Sequence, residues 1–425
     1  MGRVCSCFWL FAGSALLVYW AAVASGVETS ITVDASGDLY INASNRVVVN
    51  NVDLLAALRT LARAVVPRRP ELVMQPLESH DITADADGAV SVYAADLDND
   101  GDNDVLSASV NDNKVAWYRN NGDGTFSNQL IITTDATYAW SVNAADLNND
   151  GNLDVLSTSA RDGKVAWYRN NGDGTFSTQL VITTDADGAV SVCAADLDDD
   201  GDLDVLSASA YDNKIAWYQN NGNSTFSSQI VIAIADHARS VYAADLDNDG
   251  DFDVISASAY DDRIAWYRND GNGTFSPQIL ISASADYAWS VYAADLDKDG
   301  DLDVLSASMY DDKIAWYRNN GNGTFSAQIV VTTNASGANS VYAADLDKDG
   351  YLDILSASIS DDKVAWYRNN GNGMFSTQIV ITTAAPFARS VYAADLDNDG
   401  HLDVLSANLD GNVMWYRNQL LQNLG

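Results

Sequence analysis

The run Asp96-Leu97-Asp98-Asn99-Asp100-Gly101-Asp102-Asn103-Asp104 sets carboxylates at positions 1, 3, 5 and 9, with glycine at position 6. Alternate acids around a tight turn aim several oxygens at one centre. That is the chemistry of a hard cation such as Ca2+, which takes about 6–8 oxygens. The run returns at Asp146, Asp196, Asp245, Asp295, Asp345 and Asp395, at intervals of 50, 50, 49, 50, 50 and 50 residues. The expected ligands, loop by loop, begin with Asp96, Asp98, Asp100, Asp102 and Asp104, then Asp146, Asn148, Asp150, Asn152 and Asp154. They continue with Asp196, Asp198, Asp200, Asp202 and Asp204, then Asp245, Asp247, Asp249, Asp251 and Asp253. The last three sets are Asp295, Asp297, Asp299, Asp301 and Asp303; Asp345, Asp347, Asp349, Tyr351 and Asp353; and Asp395, Asp397, Asp399, His401 and Asp403.

Comparing the copies sorts these roles. Positions 1, 5 and 9 are Asp throughout, and position 3 departs only at Asn148. Position 7 runs from Asp102 to Tyr351 and His401, so it is expected to offer its backbone carbonyl rather than its side chain. Position 4 (Asn99, Lys298, Lys348) is expected to face solvent, and the leucines at position 8, such as Leu203 and Leu402, to tuck inward. Without a cation, such crowded carboxylates repel one another. An EF-hand would need a bidentate Glu at position 12, where this chain has Ser107 between strand-like flanks. The reading is up to seven Ca2+ ions.

The balance of Lys+Arg 23 against Asp+Glu 59, a net charge of −36, argues against nucleic acid as a partner. The loops account for 27 of those acids, and seven calcium ions would return 14 positive charges, so the acidity belongs largely to the loops. Cys193 stands where other copies have Tyr93, Tyr242, Tyr292, Tyr342 and Tyr392, and reads as a small buried hydrophobe rather than a nucleophile.

A period near 50 residues signals a solenoid, propeller or array. Each copy holds four strand-like runs, in the fifth Ser290–Asp295, Asp303–Ser308, Lys313–Asn319 and Phe325–Thr332, with the hairpin signal Asn320-Gly321-Asn322-Gly323 before the last. Four short strands repeated seven times suit an all-β, seven-bladed β-propeller. The last copy stops after three strands near Trp415-Tyr416-Arg417. The segment from Leu77 to Thr83, before the first loop, looks like the missing fourth strand and should complete the C-terminal blade. One tryptophan per copy (Trp117, Trp167, Trp217, Trp266, Trp316, Trp366, Trp415) is expected to fill the core between blades.

Residues 1–24 carry Arg3, an apolar run from Phe8 to Ala24 and an Ala-x-Ala site, the layout of a secretory leader; retention as an anchor is the alternative. Both put the repeats outside the cell, secreted or membrane-anchored. The sequons at Asn42, Asn223, Asn272, Asn322 and Asn334 agree with that. Residues 25–75 form an extension in which 52–66 reads as a short helix, with Leu54, Leu58, Leu61 and Val65 on one stripe and Pro67 ending it. The propeller is assigned to 76–418 and a tail to 419–425.

The Asp-x-Asp-x-Asp-Gly-x-x-Asp loop among repeated short strands resembles the FG-GAP/VCBS repeat family, which includes the propeller of integrin alpha chains and some fungal lectins. The resemblance covers most of the chain. It implies calcium in the hairpin between the first and second strands of each blade. Unlike integrin alpha chains, all seven copies here carry the loop.

For function, the copies are so alike that no blade looks specialised for chemistry. The segments joining fourth to first strands vary most, and they carry Tyr138, Trp140, His237, Arg239, Tyr287, Trp289, Phe387 and Arg389. Aromatics beside polar groups suit a sugar or a protein partner. The expectation is a non-enzymatic extracellular binding or adhesion module, with a multivalent lectin as the alternative. A polysaccharide-degrading enzyme is a third reading; it lacks a Ser-His-Asp set, a nucleophile elbow or a zinc pattern.

Overall fold

A computed structural model of the chain describes residues 77–419, apart from residue 372, together with six short strands within residues 9–53. The chain divides into two units, 1–74 and 75–425. In the first unit the strands pair as Trp9–Ala12 with Ala15–Val18, Ser30–Val33 with Leu39–Asn42, and Val48–Val49 with Val52–Asp53. Of the helix expected over 52–66, its first two residues thus lie in a strand and the rest outside the described residues. Most of the expected leader lies outside them too. Among the described residues, no helix is long and apolar enough to cross a membrane.

The second unit is seven four-stranded antiparallel sheets. Blade one runs Ala89–Ala95, Asp104–Ser109, Lys114–Tyr118 and Leu130–Thr133. The first strands of blades two to seven are Ala139–Ala145, Ala189–Ala195, Ala238–Ala244, Ala288–Ala294, Ala338–Ala344 and Ala388–Ala394. These first strands neighbour one another around the ring and line its central channel. In blade seven, Ala388–Ala394, Asp403–Asn408 and Val413–Arg417 take their fourth strand from Glu78–Thr83, with Trp415 opposite His80 and Arg417 opposite Glu78. The two rings of that first pair stack at 4.7 Å. The early segment therefore closes the ring as expected. Fourth strands start later than expected, at Ile329 in blade five, because Phe325 forms only an isolated bridge to Asn319 across the Asn-Gly-Asn-Gly turn.

The second strands are buried on both faces, which explains their small and apolar Val-Leu-Ser-Ala-Ser composition. The core lies between blades. Trp117 of blade one packs with Val142, Ala144, Val155 and Tyr168 of blade two, and Trp415 of blade seven with Val92, Val105 and Tyr118 of blade one. The tryptophans fill the core as expected; each buries enough apolar surface to contribute roughly 4–6 kcal/mol before entropic costs.

A second tie crosses each boundary. Asn170, after the third strand of blade two, donates through Nδ2 to the carbonyls of Leu97 in blade one (2.6 Å) and Leu153 in its own blade (3.0 Å). Its Oδ1 accepts from the Gly172 N–H at 3.0 Å. Asn220, Asn269, Asn319, Asn369 and Asn418 reach back to Leu147, Leu197, Leu246, Leu296 and Leu346 in the same way. Asn120 reaches Leu396 at 2.8 Å, carrying the tie across the join between first and last blades.

Candidate functional site

Each Asp loop joins a first strand to a second, so all seven open at one end of the ring. In blade one, Asp96 accepts from the N–H groups of Asp100 (3.1 Å) and Gly101 (2.9 Å), and Asp100 accepts from that of Asp102 (3.1 Å). Gly101, at φ 95°, makes the turn that a side chain would strain. Asp104 is fully buried beneath it. One of its oxygens accepts from the Leu97 N–H (3.0 Å) and the other from the Asn120 N–H (2.8 Å). Burial pushes its carboxyl up to about 7. The same cause takes Asp154, Asp204, Asp253, Asp303 and Asp403 to about 7 and Asp353 to about 8.

Carboxylate oxygens of Asp96, Asp98 and Asp104 lie within 4.8 Å of one another, as do those of Asp196, Asp198 and Asp204, and of Asp245, Asp247 and Asp253. In blade five the grouped residues are Asp295, Asp297 and Asp299. Asp98, Asp198, Asp247 and Asp297 each keep a buried Oδ1 without a hydrogen-bond partner. An all-oxygen set with orphaned carboxylate atoms fits a hard divalent cation and does not suit zinc, which prefers nitrogen and sulfur. In blade one, position 3 keeps one oxygen free of hydrogen bonds, while positions 1 and 9 each hold the turn with both of theirs, and all three belong to the grouped set.

Sequence reasoning missed a further participant. The third strand ends in Arg119, which sits 2.7 Å from Asp98 and 3.0 Å from Asp100. Arg268 lies 2.9 Å from Asp247, and Arg318, Arg368 and Arg417 pair with Asp297, Asp347 and Asp397. Blade three has Gln219 here, hydrogen-bonded to Asp198 at 2.5 Å. The signal was the recurring Trp-Tyr-Arg-Asn at the end of third strands, broken only by Gln219.

Position 4 does more than face solvent. It has φ between 54° and 63° in every loop and in five of them reaches position 7 of the next blade. Asn99 donates to Asn152 (2.8 Å), Asn149 to Asp202 (2.6 Å), Asn248 to Asp301 (2.7 Å) and Asn398 to Asp102 (2.6 Å). Where position 4 is Lys298, its ammonium lies 4.8 Å from the centroid of the Tyr351 ring. In these five pairs the residue at position 7 meets its partner across the blade boundary.

At the other end of the ring, the segment before each first strand passes through the left-handed region at one residue. That residue is Gly88, Gly188 or Gly337 in three blades (φ 73°, 72° and 68°). In the other four it is Tyr138, His237, Tyr287 or Phe387 (φ 64°, 58°, 58° and 55°). An L-residue there costs about 1–2 kcal/mol that glycine avoids. These side chains join the rings of neighbouring turns: His237 stacks on Tyr260 and Tyr287 on Tyr310, both at 4.1 Å. Tyr260 and Tyr310 are more than 60 % exposed, and Phe387 is 55 % exposed.

The other four expected ligand residues are not in these turns. Trp140, Arg239, Trp289 and Arg389 are the second residues of first strands, where pairing with the second strand slips between the first and third residues. A bulge re-aims the side chain at such a point. All four, with Val90, Val190 and Asn339 at the equivalent sites, line the channel mouth. The expected set thus forms two concentric features, an inner ring and an outer aromatic belt. Periodicity alone could not separate them, because a bulge is set by the partner strand. Cys193 is buried in the channel wall, and burial pushes its thiol up to about 12.

A closed ring of four-stranded blades, each with an acidic loop between its first two strands, defines a repeat β-propeller. The model of the FG-GAP-like repeat matches residues 96–157, 146–207, 196–256, 245–306, 295–356 and 353–406, and this chain belongs to that family. No curated protein matches the sequence. Among solved structures, a lectin of Agrocybe aegerita, described as recognising non-reducing terminal N-acetylglucosamine, is 21% identical with a TM-score of 0.53, over 76% of this chain and 86% of that one. Virginiamycin B lyase from Staphylococcus aureus is 12% identical, TM-score 0.55, over 80% and 98%. BBS1N in complex with ARL6DN is 14% identical, TM-score 0.56, over 82% and 98%. At such identities these likenesses show the fold alone.

Proposed function

We propose that this chain is a non-enzymatic binding or adhesion module that works outside the cell. Its Asp loops take up Ca2+ to hold the ring, and its opposite face takes a protein or glycan ligand. The observation that carries the reading is the left-handed position before each first strand. Four blades place an aromatic or imidazole ring where glycine would sit without strain. Strain of this kind collects where side chains meet ligands. The channel mouth breaks the sevenfold regularity in the same place, with Trp140, Arg239, Trp289, Asn339 and Arg389.

The three histidines support the non-enzymatic reading. His237 is committed to Ala210 and Arg239, His80 lies on Trp415, and His401 sits 3.1 Å from Asp399. Propeller neighbours include a lectin and a protein held with ARL6DN, so both ligand classes are known on this architecture.

The test is a glycan and protein-partner screen of the full chain at millimolar calcium, repeated with Trp140→Ala combined with Trp289→Ala. Loss of a hit in the double variant, with an unchanged melting profile, is the expected result. A hit untouched by the double variant would move the site off this face.

A further inference from the structure

We propose that the mouth of the central channel is an oxyanion site that takes the acidic group, a carboxylate or a sulfate ester, of a sugar. This rests on the ligand-face reading above and names the chemistry at its centre.

The chain is strongly acidic, and among the described residues the arginines elsewhere either pair with an acid or, as Arg161 and Arg169, stand exposed to water. Arg119, Arg263, Arg268, Arg318, Arg368 and Arg417 each pair with an aspartate. Arg239 and Arg389 do not. Among the described residues, neither has a carboxylate within ion-pair distance, and each keeps a buried Nε without a hydrogen-bond partner. Both line one cavity of ≈ 150 Å³. Two like charges facing one cavity with no counter-ion is a costly arrangement unless something anionic completes it.

The groups that hold the two guanidiniums are neutral. His237 donates through Nδ1 to the Ala210 carbonyl (3.0 Å), so its Nε2 is the acceptor for an Arg239 N–H at 2.6 Å. Burial and then the Arg239 charge lower the His237 pKa, which keeps that acceptor available. Arg389 donates to Asn339 Oδ1 (3.1 Å), and the Asn339 amide donates back to the Arg389 carbonyl (2.7 Å). Burial and then Arg239 pull the Arg389 guanidinium down to about 10, so it stays cationic at neutral pH. Orientation is supplied and charge is left over.

Other features favour a sugar as the carrier of the anion. Arg239 lies 4.1 Å from the centroid of Trp289, and Arg389 lies 5.8 Å from that of Trp140, so cations and indole faces alternate around the mouth. Beneath them runs a ring of serines. Ser240 and Ser290 accept from the Val291 and Val341 N–H groups of the next blades and retain their hydroxyl protons for donation. Guanidinium forks, indole faces and hydroxyls match an acidic sugar's charge, apolar face and hydroxyl groups. The surrounding belt of Tyr138, Tyr287 and Phe387 would meet further residues of the same glycan.

The experiment titrates the full chain, in calcium buffer, with sodium glucuronate, glucose 6-sulfate, glucose and triglutamate, by calorimetry and tryptophan fluorescence. The expected result is that one or both acidic sugars bind about tenfold or more tighter than glucose. Preference for glucuronate or for glucose 6-sulfate assigns the acid. Arg239→Gln and Arg389→Gln should each erase the preference, and Arg389→Lys should retain part of it. Relief of the like-charge contact means Arg389→Gln melts no lower than the parent. Equal binding of glucose and both acidic sugars overturns the oxyanion site while leaving the ligand face standing. Triglutamate binding without either acidic sugar overturns the sugar. If no probe binds and the Trp140, Trp289 double variant leaves every screen hit intact, both readings fall. A lower melting point for Arg389→Gln with the preference intact would make the arginine purely structural.

Discussion

The asparagine ties between blades allow a sharp test in Asn170→Ala. Truncation removes the bonds to the Leu97 carbonyl (2.6 Å), the Leu153 carbonyl (3.0 Å) and from the Gly172 N–H (3.0 Å). Each is worth about 1 kcal/mol net, and the Leu97 carbonyl, in a buried setting, adds about 1–3 kcal/mol when left unpaired. The sum is roughly 4–6 kcal/mol. Unfolding entropy near 2.1 cal/mol/K per residue gives a ring of this size about 0.7 kcal/mol/K, so Tm should fall by about 6–8 °C. Scanning calorimetry in calcium measures it. Asn171→Ala, which loses only an exposed 3.0 Å bond to Thr175, is the control and should shift Tm by less than about 1 °C. Because Leu97 follows the first acid of its loop, calcium affinity at the first two loops should fall in parallel. If Asn170→Ala behaved like the control, the ties would be ornamental and the ring would rest on its tryptophans alone.

Further outcomes follow from the loops and the belt. Phe387→Gly should be about 0.5–1 kcal/mol more stable than Phe387→Ala, since glycine relieves the left-handed backbone and returns only part of that as unfolded-chain freedom; urea unfolding of the pair decides it. The third loop, where Gln219 replaces the competing arginine, should fill with calcium first, and Gln219→Arg should weaken it about tenfold in a calcium titration. The second loop, with Asn148, should be weakest. In chelator, the buried position 9 aspartates, raised from 3.8 to about 7 by burial, favour the protonated fold. Their contribution is fully present below the unfolded pKa and lost as pH rises through about 7. Metal-free protein should therefore melt higher at pH 5.5 than at pH 8.5, and a flat or inverted profile would refute the burial argument.

Much of this was legible in the residues. The 50-residue period, the strand count and the orphan segment before the first loop define the closed ring, because period and turn chemistry act locally. The face opposite the loops was also legible, since Tyr138, Tyr287 and Phe387 stand out against glycines. Its division into belt and mouth was not, because Trp140 and Arg239 are aimed by a register slip that depends on the neighbouring strand. The arginine at the loops was visible as a repeat, yet Arg119 meets Asp98 only through the sheet. Lys298 against Tyr351 shows the limit best. The coupling crosses 53 positions and two blades, and only the curvature of the ring brings the two together.

The strand that seals the last blade has a consequence during synthesis. Residues 78–83 leave the ribosome early, yet their partner, 413–417, follows only after some 330 further residues. Until then six blades can stack while an unmated early strand waits, its ladder groups open to other chains. The cost of joining such distant ends grows only with the logarithm of the separation, so the delay is one of time more than of free energy. A nascent chain stalled before residue 413 would hold an open arc, vulnerable to proteases and to exchange of that strand between copies.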